Sequence, residues 1–274
     1  MVRALWTGAT GMIAQQNNVD TIANNIANVN TTGYKTEVNE FKSLLYQELQ
    51  TRTTSANGEE KPVGAQVGLG VRNAAVTSQF TQGALLDSES DTALAINGDG
   101  FFGIRAENGE CYYTRDGNFT WSIGSNNNLW LTNADGQVVL NTQGNPIEVS
   151  RNDHITSRIE IDSDGQLWYP DDHNNLQKIP NMQVGTWQFQ NPKGLYKIGD
   201  NLYRTSDASG AALNEATNQN LKKSQIRQGY LEGSNVQIAD EMVNLIIAQR
   251  AYEMNSKVIQ ASDTMMQEAN ELRR

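Results

Sequence analysis

Apolar side chains recur at helical spacing at both ends of this chain. Leu5, Gly8, Met12, Gln15, Val19, Ile22, Ile26 and Val29 step by alternating threes and fours, and six of the eight are plainly apolar. That period is a heptad seam, and it predicts one long helix over residues 3–30. At the other end Ile247, Ala251, Met254, Val258, Ala261 and Met265 repeat the same steps. A second stripe of Met242, Leu245, Tyr252, Ile259 and Met266 widens that face and predicts a helix over 235–272. Ser234–Gln237 has the spacing of a capping box, and Asp240 and Glu241 follow in the early turns, where the helix dipole favours acids. Gly33, after Thr31–Thr32, suits the left-handed position that closes a helix.

Two seams at opposite ends of a chain suit an antiparallel coiled-coil pair formed within one molecule. The competing reading makes both helices ordinary core elements of a globular domain. Length and the breadth of the apolar faces favour the pair, and more apolar surface than two helices can bury on each other implies neighbours. The first arm carries only two charged side chains, Arg3 and Asp20, so its surface is expected to be covered. Asn17, Thr21, Asn24 and Asn28 run parallel to its seam, with Asn18 and Asn25 a heptad apart. Amides have donors and acceptors but no charge to desolvate, so such a row can set register against a packed neighbour. A solvated polar face is the alternative.

Between the arms the pattern changes. Residues 43–74 turn from a helix-like start to Thr, Ser, Gly and Asn and then to Lys61-Pro62 with spaced glycines, which predicts an extended linker. Over 75–228 short apolar runs alternate with turn pairs such as Gly98-Asp99-Gly100, Asp116-Gly117 and Asp164-Gly165, which predicts an antiparallel sandwich or barrel-like domain. The expected class is therefore α+β. Its layout is an N-terminal arm over 1–42, a linker over 43–74, a β-domain over 75–228 and a C-terminal arm over 229–274.

Chemistry-bearing motifs are weak. Asp162–Gly165 resembles part of a calcium loop, but its twelfth position is His173, so a plain turn is expected. A single cysteine, Cys111, and two histidines, His154 and His173, make no thiolate or histidine cluster, and no nucleophile-elbow or zinc-protease motif occurs. No enzyme activity, cofactor or metal is expected. A net charge of −10 disfavours nucleic-acid binding and anionic membrane surfaces. No run is long and apolar enough for direct membrane insertion, and the N-terminus lacks the apolar core of a cleavable signal peptide.

ANNIANVNTTGYK (23–35), followed by Phe41, resembles the N-terminal motif of bacterial flagellar rod and hook proteins. GYLEGSNVQIADEMVNLIIAQRAYEMNSKVIQASDTMMQ (229–267) is similar to that family's C-terminal arm, and NGDGFF and YTRDGNF look like turns of its β-domain. The likeness runs through essentially the whole chain, with 120–180 departing most. Length and the segment ending GAQVGLGVR make the layout most similar to the distal rod members of the basal-body rod family.

This resemblance implies a structural axial protein of the flagellum, exported through the flagellar type III channel without signal cleavage. It implies helical self-polymerisation around the export channel and torque transmission from motor to hook. Implied partners are copies of itself, proximal rod proteins, the hook protein and, in a two-membrane cell, the surrounding basal-body rings. The residues expected at the assembly interface are Leu5, Met12, Val19, Ile22, Asn24, Asn25, Ile26, Asn28, Val29, Met242, Leu245, Ile247, Ala251, Tyr252, Met254, Val258, Ile259 and Met265, with Gly33 at the helix end. Another axial protein, proximal rod or hook, is the near alternative. A carbohydrate-binding or carbohydrate-acting β protein is the remote one, suggested by Trp168, Tyr169 and Trp187.

Overall fold

A computed structural model describes residues 2–50, 65–106, 108–124, 128–150, 158–171, 175–218 and 220–272. The chain divides into two compact units. Unit 1 gathers Met1–Ala27, Glu37–Ser78 and Gln237–Arg274, and unit 2 holds Asn28–Thr36 and Gln79–Val236. The fold is α+β: two long helices and a mainly antiparallel β region.

Unit 1 contains helix α1 (Val2–Ala27) and helix α2 (Ile238–Glu271). They pack antiparallel, so that Gly8 of α1 lies beside Ile259 and Gly11 beside Asn255. Strand β1 (Glu37–Ser43) pairs antiparallel with β4 (Val71–Ser78), with a bulge at Glu40/Phe41. Beyond it β2 (Tyr46–Gln50) pairs with β3 (Ala65–Gly68). The described parts of 43–74 are therefore largely paired strand, while 51–64 lie outside the described residues. Gly70, at φ +114°, lets the ribbon lie on α1, where the Thr10 hydroxyl fills the space a Cβ would take.

In unit 2, β5 (Leu85–Asp87) pairs with Tyr230–Glu232, and β6 (Leu94–Asn97) pairs with Gln225–Gln228. The larger sheet runs in the order Glu148–Val149, Leu129–Thr132, Val138–Val139, β7 (Phe101–Arg105), β8 (Cys111–Thr114), Leu202–Arg204, Tyr196–Gly199. Among the described residues this path is open at both ends, so the barrel-like expectation is not met. Strands of two to five residues broken by turns give no continuous ladder to close on itself.

Strand alternation divides the core. On β7, Phe102 packs edge-on against Phe119 in a cluster with Ile104, Leu131 and Leu167. Its neighbour Phe101 points to the other face, among Tyr113, Trp187, Phe189 and Tyr203. Trp187, at 8 % exposure, is thus a core residue and not a sugar platform. Asp162–Gly165 forms a tight turn: Gly165 takes φ +79° and its N–H donates to the Asp162 carbonyl at 2.8 Å. His154 and His173 lie outside the described residues.

The face of Gly103 is closed by the Trp187 ring, which occupies the place of any Cβ there. Gly103→Val should therefore destabilise unit 2 by about 2 kcal/mol or more through overpacking. Urea unfolding followed by tryptophan fluorescence checks this; an unchanged midpoint would contradict it.

Candidate assembly surface

Small and polar residues line the seam between α1 and α2. The buried positions of α1 are Gly8, Gly11, Ala14, Thr21, Ile22 and Asn25, and those of α2 are Glu241, Ala248 and Ser262. Only Ile22 among them is a large apolar residue. A Cβ on Gly11 would meet the Asn255 amide at 2.8 Å, and one on Gly8 would meet Ile259 Cγ1 at 2.9 Å, so the glycines set the close approach.

The expected interface residues divide accordingly. Ile22 and Asn25 are buried within the unit. Leu5, Met12, Val19, Ile26, Leu245, Ala251 and Ile259 are half-buried along the flanks of the seam, and Asn28 and Val29, half-buried too, fall in unit 2. Met242, Ile247, Tyr252, Met254, Val258 and Met265 are exposed, with Ile247 at 60 % and Met254 at 61 %. Ile247, Met254, Val258 and Met265 on α2 are thus left largely uncovered by α1. On α1 the outer side carries Val2, Trp6 and Ile13, with Trp6 at 67 %. On the ribbon Leu45, Tyr46 and Leu49 are also exposed.

The amides do not form one uniform row. Asn24 is exposed, whereas Asn25 is 1 % exposed and bonded inside its own unit. Its Nδ2 donates to the Glu37 carbonyl at 2.8 Å, and its Oδ1 accepts the Glu37 N–H at 2.9 Å. One side chain therefore satisfies both backbone groups at the start of β1 and fixes where the ribbon leaves the helix. Glu241 also hydrogen-bonds Asn25. Burial pushes the Glu241 carboxyl above its ordinary value, the Asn25 bond pulls it down, and the neighbouring Asp240 charge adds to the rise.

The ends of both helices differ from expectation. α1 stops at Ala27, and Gly33 lies beyond it in unit 2 at φ +68°. The Gly33 N–H donates not to a helix carbonyl but to the Glu232 carbonyl at 2.8 Å. α2 begins at Ile238 with Gln237 as its N-cap, and Ser234–Gln237 does not cap it. Asn235 is engaged elsewhere: its Oδ1 accepts the Thr36 N–H at 2.7 Å, and its Nδ2 donates to the Gln79 carbonyl at 2.8 Å.

Sequence reasoning missed one charged cluster altogether. Lys35 Nζ lies 2.6 Å from Glu232 Oε1, and Arg115 Nη1 lies 3.4 Å from Glu232 Oε2, all three side chains being buried. Arg115 also stacks over the Phe101 ring, 4.8 Å from its centroid. Each residue sits in a different stretch singled out above: Lys35 in TTGYK, Arg115 in YTRDGNF and Glu232 in GYLEGSN. A lone charge inside two otherwise neutral motifs, Lys35 and Glu232, and an arginine beside Asp116 in the third were the available signal.

The comparisons with known proteins agree on one family. Residues 5–35 match the model described as flagella basal body rod protein. Residues 95–169 match the flagellar hook protein FlgE/F/G D1 domain, and 227–272 match the flagellar basal body rod FlgEFG protein C-terminal model. The flagellar basal-body rod protein FlgG of Borreliella burgdorferi is 43% identical over 275 residues, spanning 100% of both chains. That of Agrobacterium fabrum is 40% identical over 96% of this chain and 97% of its own, and that of Bacillus subtilis 36% identical over 100% of both.

Asn25→Leu leaves both backbone groups of Glu37 without their side-chain partner and should cost about 2 kcal/mol or more. Asn24→Leu, on the exposed side, should cost distinctly less. Thermal unfolding followed by helical circular dichroism separates the two; equal losses would contradict the assignment. Because Glu241 holds its proton more tightly in the fold than in the open chain, its contribution is greatest at low pH. That contribution is lost as pH rises from about 4.5, its ordinary value, through the raised one. Glu241→Gln should remove this part of the pH dependence in urea titrations; an unaltered pH profile would contradict it.

Proposed function

The chain belongs to the flagellar basal-body rod protein family and is a structural protein of the distal rod; from that premise we propose how it assembles. Copies of the helical unit pack side by side around a central channel, each covering apolar surface that the other cannot bury alone. The carrying observation is that Ile247, Met254, Val258 and Met265 face outward although they are the largest apolar side chains of their heptad. Each such side chain, fully covered by a neighbour, contributes roughly 1.5–3 kcal/mol. The outer side of α1, with Trp6 and Ile13, and the ribbon, with Leu45, Tyr46 and Leu49, extend this surface in other directions.

A surface of this kind is heterologous: different patches meet, and a rotation that does not close yields an open helical polymer. In this reading the polymer transmits torque from motor to hook and encloses the export channel. Its neighbours are proximal rod proteins, the hook protein and, in a two-membrane cell, the basal-body rings. The subunit reaches its place by flagellar type III export without signal cleavage, and its role is mechanical, with no enzymatic step. Asn24 faces neighbours, whereas Asn25 serves the subunit itself.

The double substitution Ile247→Glu, Met254→Glu should leave the isolated chain folded, since both side chains are solvent-exposed in it. It should abolish polymers by sedimentation and negative-stain microscopy and abolish swimming. Rods of ordinary length built from that variant would defeat the proposal.

A further inference from the structure

We propose that the Lys35–Glu232–Arg115 triad is a folding interlock, which keeps unit 2 open until the C-terminal end of that unit is in place. The triad joins residues remote along the chain: Glu232 follows Lys35 by 197 residues and Arg115 by 117. Two of its members are cations, and they come first. Lys35 Nζ has one other described bond, to the Thr81 carbonyl at 2.8 Å, and Arg115 rests on the Phe101 ring. Asp99 and Glu215 also act on Arg115. Asp99 is exposed, however, and Glu215 already accepts bonds from Thr186, Gln188 and Ser224.

Without Glu232, closing unit 2 would bury two cations close together with no carboxylate bonded to either. An unpaired buried charge is costly, far more so than a missing apolar contact. The same physics shows on both cations: burial pushes each below its ordinary value, and Glu232 draws each back.

Glu232 also gathers backbone. Its carbonyl accepts the Gly33 N–H at 2.8 Å, and its Oε1 accepts the Gly83 N–H at 3.0 Å. Three residues on, Asn235 bonds Thr36, Gln79 and Thr81. Segments 32–36, 79–83 and 232–236 therefore form a collar held by one carboxylate and one amide. Gly33 has no room for a side chain here, because its Cβ would meet the Asp116 N–H nitrogen at 2.5 Å. A chain that emerges N-terminus first carries both cations long before the carboxylate that permits their burial. The interlock concerns the chain's own folding and stands whether or not the helical unit polymerises.

Pulse-labelled hydrogen exchange during refolding of the full chain tests it. In the natural chain, peptides over 94–119 should become protected in the same phase as those over 225–236. E232Q should slow protection of 94–119 by about tenfold or more, because both cations must then be buried with no carboxylate partner as the unit closes. A contact that only stabilises the finished fold would instead speed unfolding and leave refolding unchanged. The charge-free triple variant K35M/R115M/E232M should restore protection of 94–119 and let it precede that of 225–236. The proposal is overturned if 94–119 is protected well ahead of 225–236 in the natural chain, or if E232Q refolds at the natural rate. Should the triple variant fail to fold, those two measurements decide alone.

Discussion

Close approach of α1 and α2 is the constraint from which the rest of unit 1 follows. Gly8, Gly11, Ala248 and Ser262 leave little side chain between the two helices, so the seam holds few large residues, Ile22 and Ile259 among them. The other large residues lie on the flanks and the outer faces, half-buried or exposed among the described residues. A helix pair with large apolar seams would be a satisfied hairpin. One with small seams and large outer faces leaves apolar surface exposed, as interaction sites do. The exposed apolar surface is thus a consequence of how the two helices meet.

Unit 2 depends on a different interaction. A single carboxylate pairs with two cations from remote parts of the chain and accepts a backbone N–H besides. Buried ion pairs are weak evidence for stability, since apolar replacements of similar volume often do as well. Their effect on specificity is stronger, because a misplaced segment would strand a charge. That is why the triad is read as controlling when and how the unit closes, and less as adding to its strength.

Much of this was legible in the sequence, and the failures have physical causes. Helical period at both termini marked α1 and α2, and turn pairs marked the β region. The period could not say which stripe faces inward, since Ile247 and Met254 look more core-like than Ala248 and Ser262. The stripe of largest side chains, read as the seam between the arms, is the one left exposed in the unit. Gly33 was recognisable as a left-handed position, yet the carbonyl it serves lies about 200 residues on, beyond any local reading. The capping-box reading failed because Asn235 binds Thr36 and Gln79, which holds 234–236 in the β unit and delays the helix to Ile238. The asparagines looked alike as letters, but one turns outward and its neighbour clasps Glu37.

Methionine oxidation offers the most direct view of the outer face. Met242, Met254 and Met265 are exposed in the single chain, so dilute peroxide should convert each to its sulfoxide at comparable rates. Mass spectrometry of subunits oxidised before and after assembly then reads coverage residue by residue. The account predicts that Met254 and Met265 become strongly protected in the rod. Equal oxidation of these methionines in free and assembled subunits would contradict it.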